Sequence, residues 1–101
     1  MDYSLSELKE LCKGFTVLYT EDDKETQSEM AKILDRIFET VYIASDGEEA
    51  IKMFNKMHPS LVISDIQMPK KNGLELTAHI KTVSHDVPVI ITTAFNEESY
   101  F

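Results

Sequence analysis

Leu61-Val62-Ile63-Ser64-Asp65-Ile66-Gln67-Met68-Pro69, followed four residues on by Gly73, decides the fold of this 101-residue chain. Leu61 to Ser64 is a short apolar, β-branched run and reads as a strand that ends at an acid, Asp65. A loop carrying Pro69 and Gly73 follows. Asn72 and Glu75, at capping-box spacing, then open a helix whose apolar residues are Leu76, Ile80 and Val83. The same grammar extends in both directions. Upstream, Asp46 with Glu49 three residues on starts a helix with Ala50, Met53, Phe54 and Met57 on one face, and His58-Pro59 stops it. Before it, Thr40 to Ala44 is a second β-branched run. Earlier still, Met30, Ile33, Leu34, Ile37 and Phe38 fit a helical stripe, preceded by the strand Phe15 to Thr20 and three acids, Glu21-Asp22-Asp23. Downstream, Val87 to Thr92 is a fourth strand. A short leading helix, Ser4 to Lys13, carries Leu5, Leu8 and Leu11, with Ser4 and Glu7 as its cap and Gly14 as its stop.

Strands alternating with helices predict an α/β fold: a doubly wound, mostly parallel sheet with right-handed crossovers and helices on both faces. The continuous apolar runs Val17-Leu18 and Val89-Ile90-Ile91 fit strands buried on both sides. Length and a hydrophobic fraction of 43% suit one packed domain. The net charge of −8 argues against a nucleic-acid backbone or an anionic membrane as the main partner, since both demand positive charge. No apolar run approaches the roughly 20 residues of a membrane span, and the first ten residues lack the pattern of a signal peptide. The expectation is a soluble, cytoplasmic protein. Cys12, the sole cysteine, reads as a small apolar residue of the leading helix; His58 reads as a helix-end residue, and His79 and His85 as exposed.

In doubly wound sheets ligands bind beyond the carboxyl ends of the strands. Collected there are Glu21, Asp22 and Asp23 after the first strand, Asp65 after the third, and Thr92 and Thr93 after the fourth. Carboxylates brought together repel one another unless a cation intervenes. A hard divalent ion with oxygen ligands resolves the conflict, and Mg²⁺ suits one or two carboxylates plus waters and a phosphate. Taken alone, Asp22 and Asp23 read equally well as helix caps. Asp65 fits that reading less well, because it ends an apolar strand and precedes an irregular loop.

Three segments resemble the receiver domain of two-component response regulators: Val17 to Asp23, Leu61 to Pro69 with Gly73, and Pro88-Val89-Ile90-Ile91-Thr92-Thr93-Ala94. Their spacing agrees, with 43 residues from Asp22 to Asp65 and 28 from Asp65 to Thr93. The resemblance runs from about Phe15 to the end of the chain, dividing it into a helical extension, residues 1–14, and a receiver domain, residues 15–101. It implies the flavodoxin-like strand order 2-1-3-4, with the fifth strand and last helix missing. It also implies that Asp65 accepts a phosphoryl group from a histidine kinase or phosphotransfer protein in a phosphorelay. Mg²⁺ would be held by Asp22, Asp65 and the backbone carbonyl of Gln67, with Glu21 acting through water. Thr93 would be the switch hydroxyl that biases a protein-interaction surface. The implied role is a signalling module and not an enzyme, with no direct contact to nucleic acid or membrane.

The chain departs from the family at one important point. The family's phosphate-pairing Lys follows its fifth strand, and the sequence ends at Phe101 before that place. Lys24 begins a helix, and Lys70 and Lys71 lie in the loop after the acceptor, so none replaces it. Gln67 stands where Asn is common, and Thr20 where an aliphatic residue is usual. The fourth strand would become a sheet edge, which predicts a homodimer through that region. An alternative is a receiver-like interaction module that keeps the fold and has lost the switch. Mg²⁺-dependent phosphohydrolases and topoisomerase-primase-like sites also place acids after parallel strands. They need a paired Asp-x-Asp, which Asp65-Ile66-Gln67 breaks.

Overall fold

The computed structural model describes residues 4–66 and 70–92. Eight elements follow one another: α1 (Leu5–Leu11), β1 (Thr16–Thr20), α2 (Lys24–Asp35), β2 (Thr40–Ala44), α3 (Gly47–Met57), β3 (Leu61–Asp65), α4 (Gly73–Val83) and β4 (Val89–Thr92). The strands form one sheet in the order β2-β1-β3-β4, and every pairing is parallel. This is the doubly wound arrangement the sequence predicts. No helix among the described residues is long and apolar enough to cross a membrane.

Alternation along β1 assigns the two faces of the sheet. Leu18 joins Val62 of β3 and Ala44 of β2 in a core closed by Ala50 and Phe54 of α3 and by Leu76 and Ile80 of α4. Right-handed crossovers place α2 on the other face, the side of Val17 and Tyr19. The central strand β1 is buried from Val17 to Thr20, as a strand covered by helices on both sides must be.

Helices α1, α3 and α4 start where their caps predict. The Ser4 and Glu7 capping box and that of Asn72 and Glu75 are both closed. Asp46 accepts the Glu49 N–H at 2.8 Å, while the Glu49 carboxylate reaches one residue further back, to the Ser45 N–H at 3.2 Å. His58 ends α3 in the left-handed region, φ 50°, the αL cap that spares it the helical conformation proline forbids.

Other expectations needed correction at the edges. Phe15 lies before β1 and is exposed, and Val87 precedes β4 while still packing on the core. The helix α2 stops at Asp35, so Ile37 and Phe38 fall beyond it. The Arg36 and Ile37 N–H groups turn to carbonyls three residues back, and the Phe38 N–H returns to Leu34. Ile33 is 52% and Val83 58% exposed, because each sits at the margin of its helix's apolar stripe. Ile90 is 49% exposed, so β4 is not buried on both sides as its apolar run suggested. His79 is half-buried, its ring nitrogen 3.3 Å from Asn55 Oδ1. Cys12 is a half-buried free thiol.

Candidate functional site

Two strand ends bring the acids together. Glu21 is the first residue past β1, and its N–H extends the β1–β2 ladder to the Ala44 carbonyl at 3.1 Å. Asp65 is the last residue of β3. The register pairs Thr20 with Ser64, so Glu21 and Asp65 leave adjacent strands at the same height. Carboxylate oxygens of Glu21, Asp22 and Asp65 all lie within 4.8 Å of one another. Glu21 and Asp65 are buried and Asp22 is exposed, which leaves the cluster open on one side.

Asp23, the third acid of the run, does something else. Its carboxylate caps α2, accepting the Thr26 N–H at 2.9 Å and the Thr26 hydroxyl at 2.7 Å. These bonds hold its carboxyl below the usual range. Of the two acids that read equally well as caps, Asp23 is the cap and Asp22 belongs to the cluster. Gln67 and Thr93 lie outside the described residues. Thr92 ends β4, its hydroxyl 3.4 Å from the Ser64 carbonyl.

The electrostatics follow from this crowding. Burial pushes the Glu21 carboxyl up, the Asp23 N–H at 3.0 Å pulls it back, and the Asp65 and Asp22 charges push it up again. Tyr19, two residues earlier on β1, has its phenol pushed up to about 12, first by burial and then by Glu21 and Asp65. Crowded negative charge of this kind favours a cation. Three carboxylates offering hard oxygen donors within a few ångströms suit a small divalent cation, so the donor set fits Mg²⁺.

The loop that follows Asp65 is fastened to the start of α3. Lys70 Nζ lies 3.6 Å from Asp46 and 3.8 Å from Glu48. A Cβ on Gly47 would run into the Lys71 carbonyl, and one on Gly73 would come 2.6 Å from the Asp65 carbonyl. Both helix starts are therefore packed against Asp65, Ile66 and Lys71 at distances only glycine allows. Sequence reasoning missed two partners near the cluster: this Lys70 contact, and Gln27, whose side-chain amide donates to the Glu21 carbonyl at 2.8 Å and to Ser45 Oγ at 3.1 Å. Neither contact has a signal in residue spacing, since Lys70 reaches the start of α3 and Gln27 reaches from α2 to the segments that follow β1 and β2. A cavity of about 280 Å³ beside α1, lined by Lys9, Lys13, Ile37 and Phe38, lies toward the amino ends of the strands, away from the acids.

The family model of the response regulator receiver domain matches residues 17–101. An uncharacterised response regulatory protein of Staphylococcus epidermidis is 37% identical over 89 residues, covering 85% of this chain and 35% of that protein. The transcriptional regulatory protein HptR of Staphylococcus aureus is 34% identical over 90 residues, covering 85% of this chain and 34% of its own length. The chain thus spans about a third of the curated relatives it matches. Among solved structures, the N-terminal domain of an uncharacterised protein from Wolinella succinogenes superposes with a TM-score of 0.76 at 36% identity, covering 87% of this chain and 71% of that one. Response regulator TrrA of Thermotoga maritima, solved in complex with Mg²⁺-BeF, gives 0.76 at 29% identity, covering 85% and 75%. Sheet order, strand-end acids and a match running from β1 to the last residue agree: this chain belongs to the response regulator receiver domain family of two-component signalling.

Proposed function

We propose that Asp65 is the phosphoacceptor of this receiver and that Asp22, Asp65 and the Gln67 backbone carbonyl hold Mg²⁺, with Glu21 acting through a water. The observation that carries this reading is the meeting of Glu21, Asp22 and Asp65 at the carboxyl ends of β1 and β3. Gln67 and Thr93 enter by their places in the matched sequence. Bound there, the ion neutralises phosphoryl oxygens and the surrounding carboxylates. An Asp65 carboxylate oxygen attacks the phosphorus of a phosphohistidine on a histidine kinase or phosphotransfer protein. The O–P bond forms as the N–P bond breaks, and the imidazole leaves with a proton. Burial of Asp65 in a β-strand gives the nucleophile a fixed direction for in-line attack. The acyl phosphate, with a charge of about −1.5 to −2 in place of the single carboxylate charge, then biases the protein-interaction surface through the Thr93 hydroxyl. The test is intact mass after incubation with acetyl phosphate and Mg²⁺, beside Asp65→Asn. One phosphoryl group on the native chain and none on the variant is the expected result; equal masses would overturn the assignment.

A second copy of the chain is the partner assigned to the β4 edge. Among the described residues β4 pairs on one side, with β3, and presents Ile90 half-exposed. Sedimentation at micromolar concentration should give a dimer, and a stable monomer would remove this assignment.

A further inference from the structure

We infer that Gln27 is a positioning residue for the Mg²⁺ ligands, holding the Glu21–Asp22 peptide unit in the orientation the ion requires. The inference rests on the metal-binding role given above to Glu21, Asp22 and Asp65.

Asp22 is exposed, so no packing fixes its direction. Its side chain meets the Glu21 carboxyl, and the peptide plane that precedes it, whose oxygen is the Glu21 carbonyl, sets the direction from which it does so. Gln27, in the second turn of α2, donates its side-chain amide to that oxygen at 2.8 Å. The same nitrogen reaches Ser45 Oγ at 3.1 Å and, more weakly, the Ala44 carbonyl at 3.4 Å. On the other side of Glu21, its own N–H is bonded to the Ala44 carbonyl. Both peptide planes flanking Glu21 are therefore tied to the end of β2. Lys24 adds a bond of 2.8 Å to Ser45 Oγ, so two residues of α2 grip the β2–α3 connection. Gln27 touches none of the three carboxylates in these contacts and reaches them through the Glu21 carbonyl. This is how an outer-sphere group tunes a metal site without ligating.

The consequence separates Mg²⁺ from a larger ion. Mg²⁺ demands near-ideal octahedral geometry, whereas Ca²⁺ accepts irregular and variable coordination. Loosening the Glu21–Asp22 plane should weaken Mg²⁺ more than Ca²⁺; mere loss of folded protein would weaken both alike. Gln27→Met keeps length and removes the donor. Titration calorimetry should show its Mg²⁺ dissociation constant raised about tenfold, the Ca²⁺ constant changed less, and the melting temperature in EDTA close to native. Ser45→Ala, which leaves the bond to the Glu21 carbonyl, should move the Mg²⁺ constant less than Gln27→Met. Equal losses for the two ions, or a native Mg²⁺ constant in Gln27→Met, would overturn the inference. Asp22→Asn serves as the reference. If it too binds Mg²⁺ like the native chain, the metal-site reading fails, and with it the basis of this one. If Asp22→Asn loses Mg²⁺ and Gln27→Met does not, only the positioning role falls.

Discussion

Thr20 holds a fully buried hydroxyl that meets no hydrogen-bond partner among the described residues, on the β1 face that packs toward α3 and α4. Burying such a group is costly, and an isosteric apolar side chain removes the cost. Thr20→Val should therefore raise stability by about 1 kcal/mol, read as a higher urea midpoint; an unchanged midpoint would mean that a buried water satisfies the hydroxyl. Asp46 behaves in the opposite sense. Its carboxyl lies below the usual range, held there first by the Glu49 N–H and then by Lys70. A depressed carboxyl contributes stability above its unfolded value of about 3.9 and loses it as pH falls through the lower folded value. Asp46→Ala should cost about 1 kcal/mol at pH 7, and the gap from the native chain should narrow near pH 3. Asp46→Asn keeps the cap and should lose only the charged share. Caps of this kind were legible in the sequence because donor and acceptor are three residues apart. The site was legible for a different reason: Glu21, Asp22 and Asp65 mark strand ends, and parallel topology gathers strand ends. Asp23 and Gln27 were not, since which acid of a run caps, and which amide crosses to another loop, depends on side-chain direction.

Among the elements, α1 and α4 carry similar leucines with different weight. No residue of α1 is buried, while Leu76 and Ile80 of α4 are fully enclosed. Leu76→Ala should cost about 2–5 kcal/mol, whereas Leu11→Ala should stay within about 0.5 kcal/mol, both read from denaturant melts. Equal effects would mean that α1 is docked more firmly than its exposure indicates. The sequence pattern could not rank them, because a leucine stripe shows that a face is apolar and says nothing of what covers it. The end of α2 illustrates the complementary problem. Arg36 keeps helical backbone angles, φ −83° and ψ −14°, while the hydrogen bonds shorten to three-residue steps. Apolar spacing therefore runs through Ile37 and Phe38 after the helix itself has stopped. Strand β2 matched its expected bounds because its β-branched run stops at Ala44, where Ser45 and Asp46 begin the next cap.

For the whole molecule, charge and register decide behaviour. A net charge of −8 surrounds a cluster that already holds three carboxylates. Without a cation, Asp22→Asn should be more stable than the native chain, because it removes repulsion at the cluster. With Mg²⁺ the native chain should gain more, about 2.7 kcal/mol at a hundredfold excess over the dissociation constant. Melting curves in EDTA and in Mg²⁺ test both halves, and an Asp22→Asn chain that gains as much from Mg²⁺ as the native one would contradict the second. Net charge and fold class were readable from composition and alternation. The meeting of the acids needed one thing more, the Thr20–Ser64 register of the β1–β3 ladder. That ladder works as a ruler. One step along a strand is about 3.3 Å and turns each side chain to the opposite face. A single residue inserted between Thr16 and Thr20 could be absorbed by a bulge at the amino end, leaving the site intact, or by a slip, carrying the acids past one another. The two outcomes would differ in cation binding and in stability together, since a slip that parts the acids also turns Leu18 out of the core, which ties the geometry of the cluster to the packing of the strand that carries it.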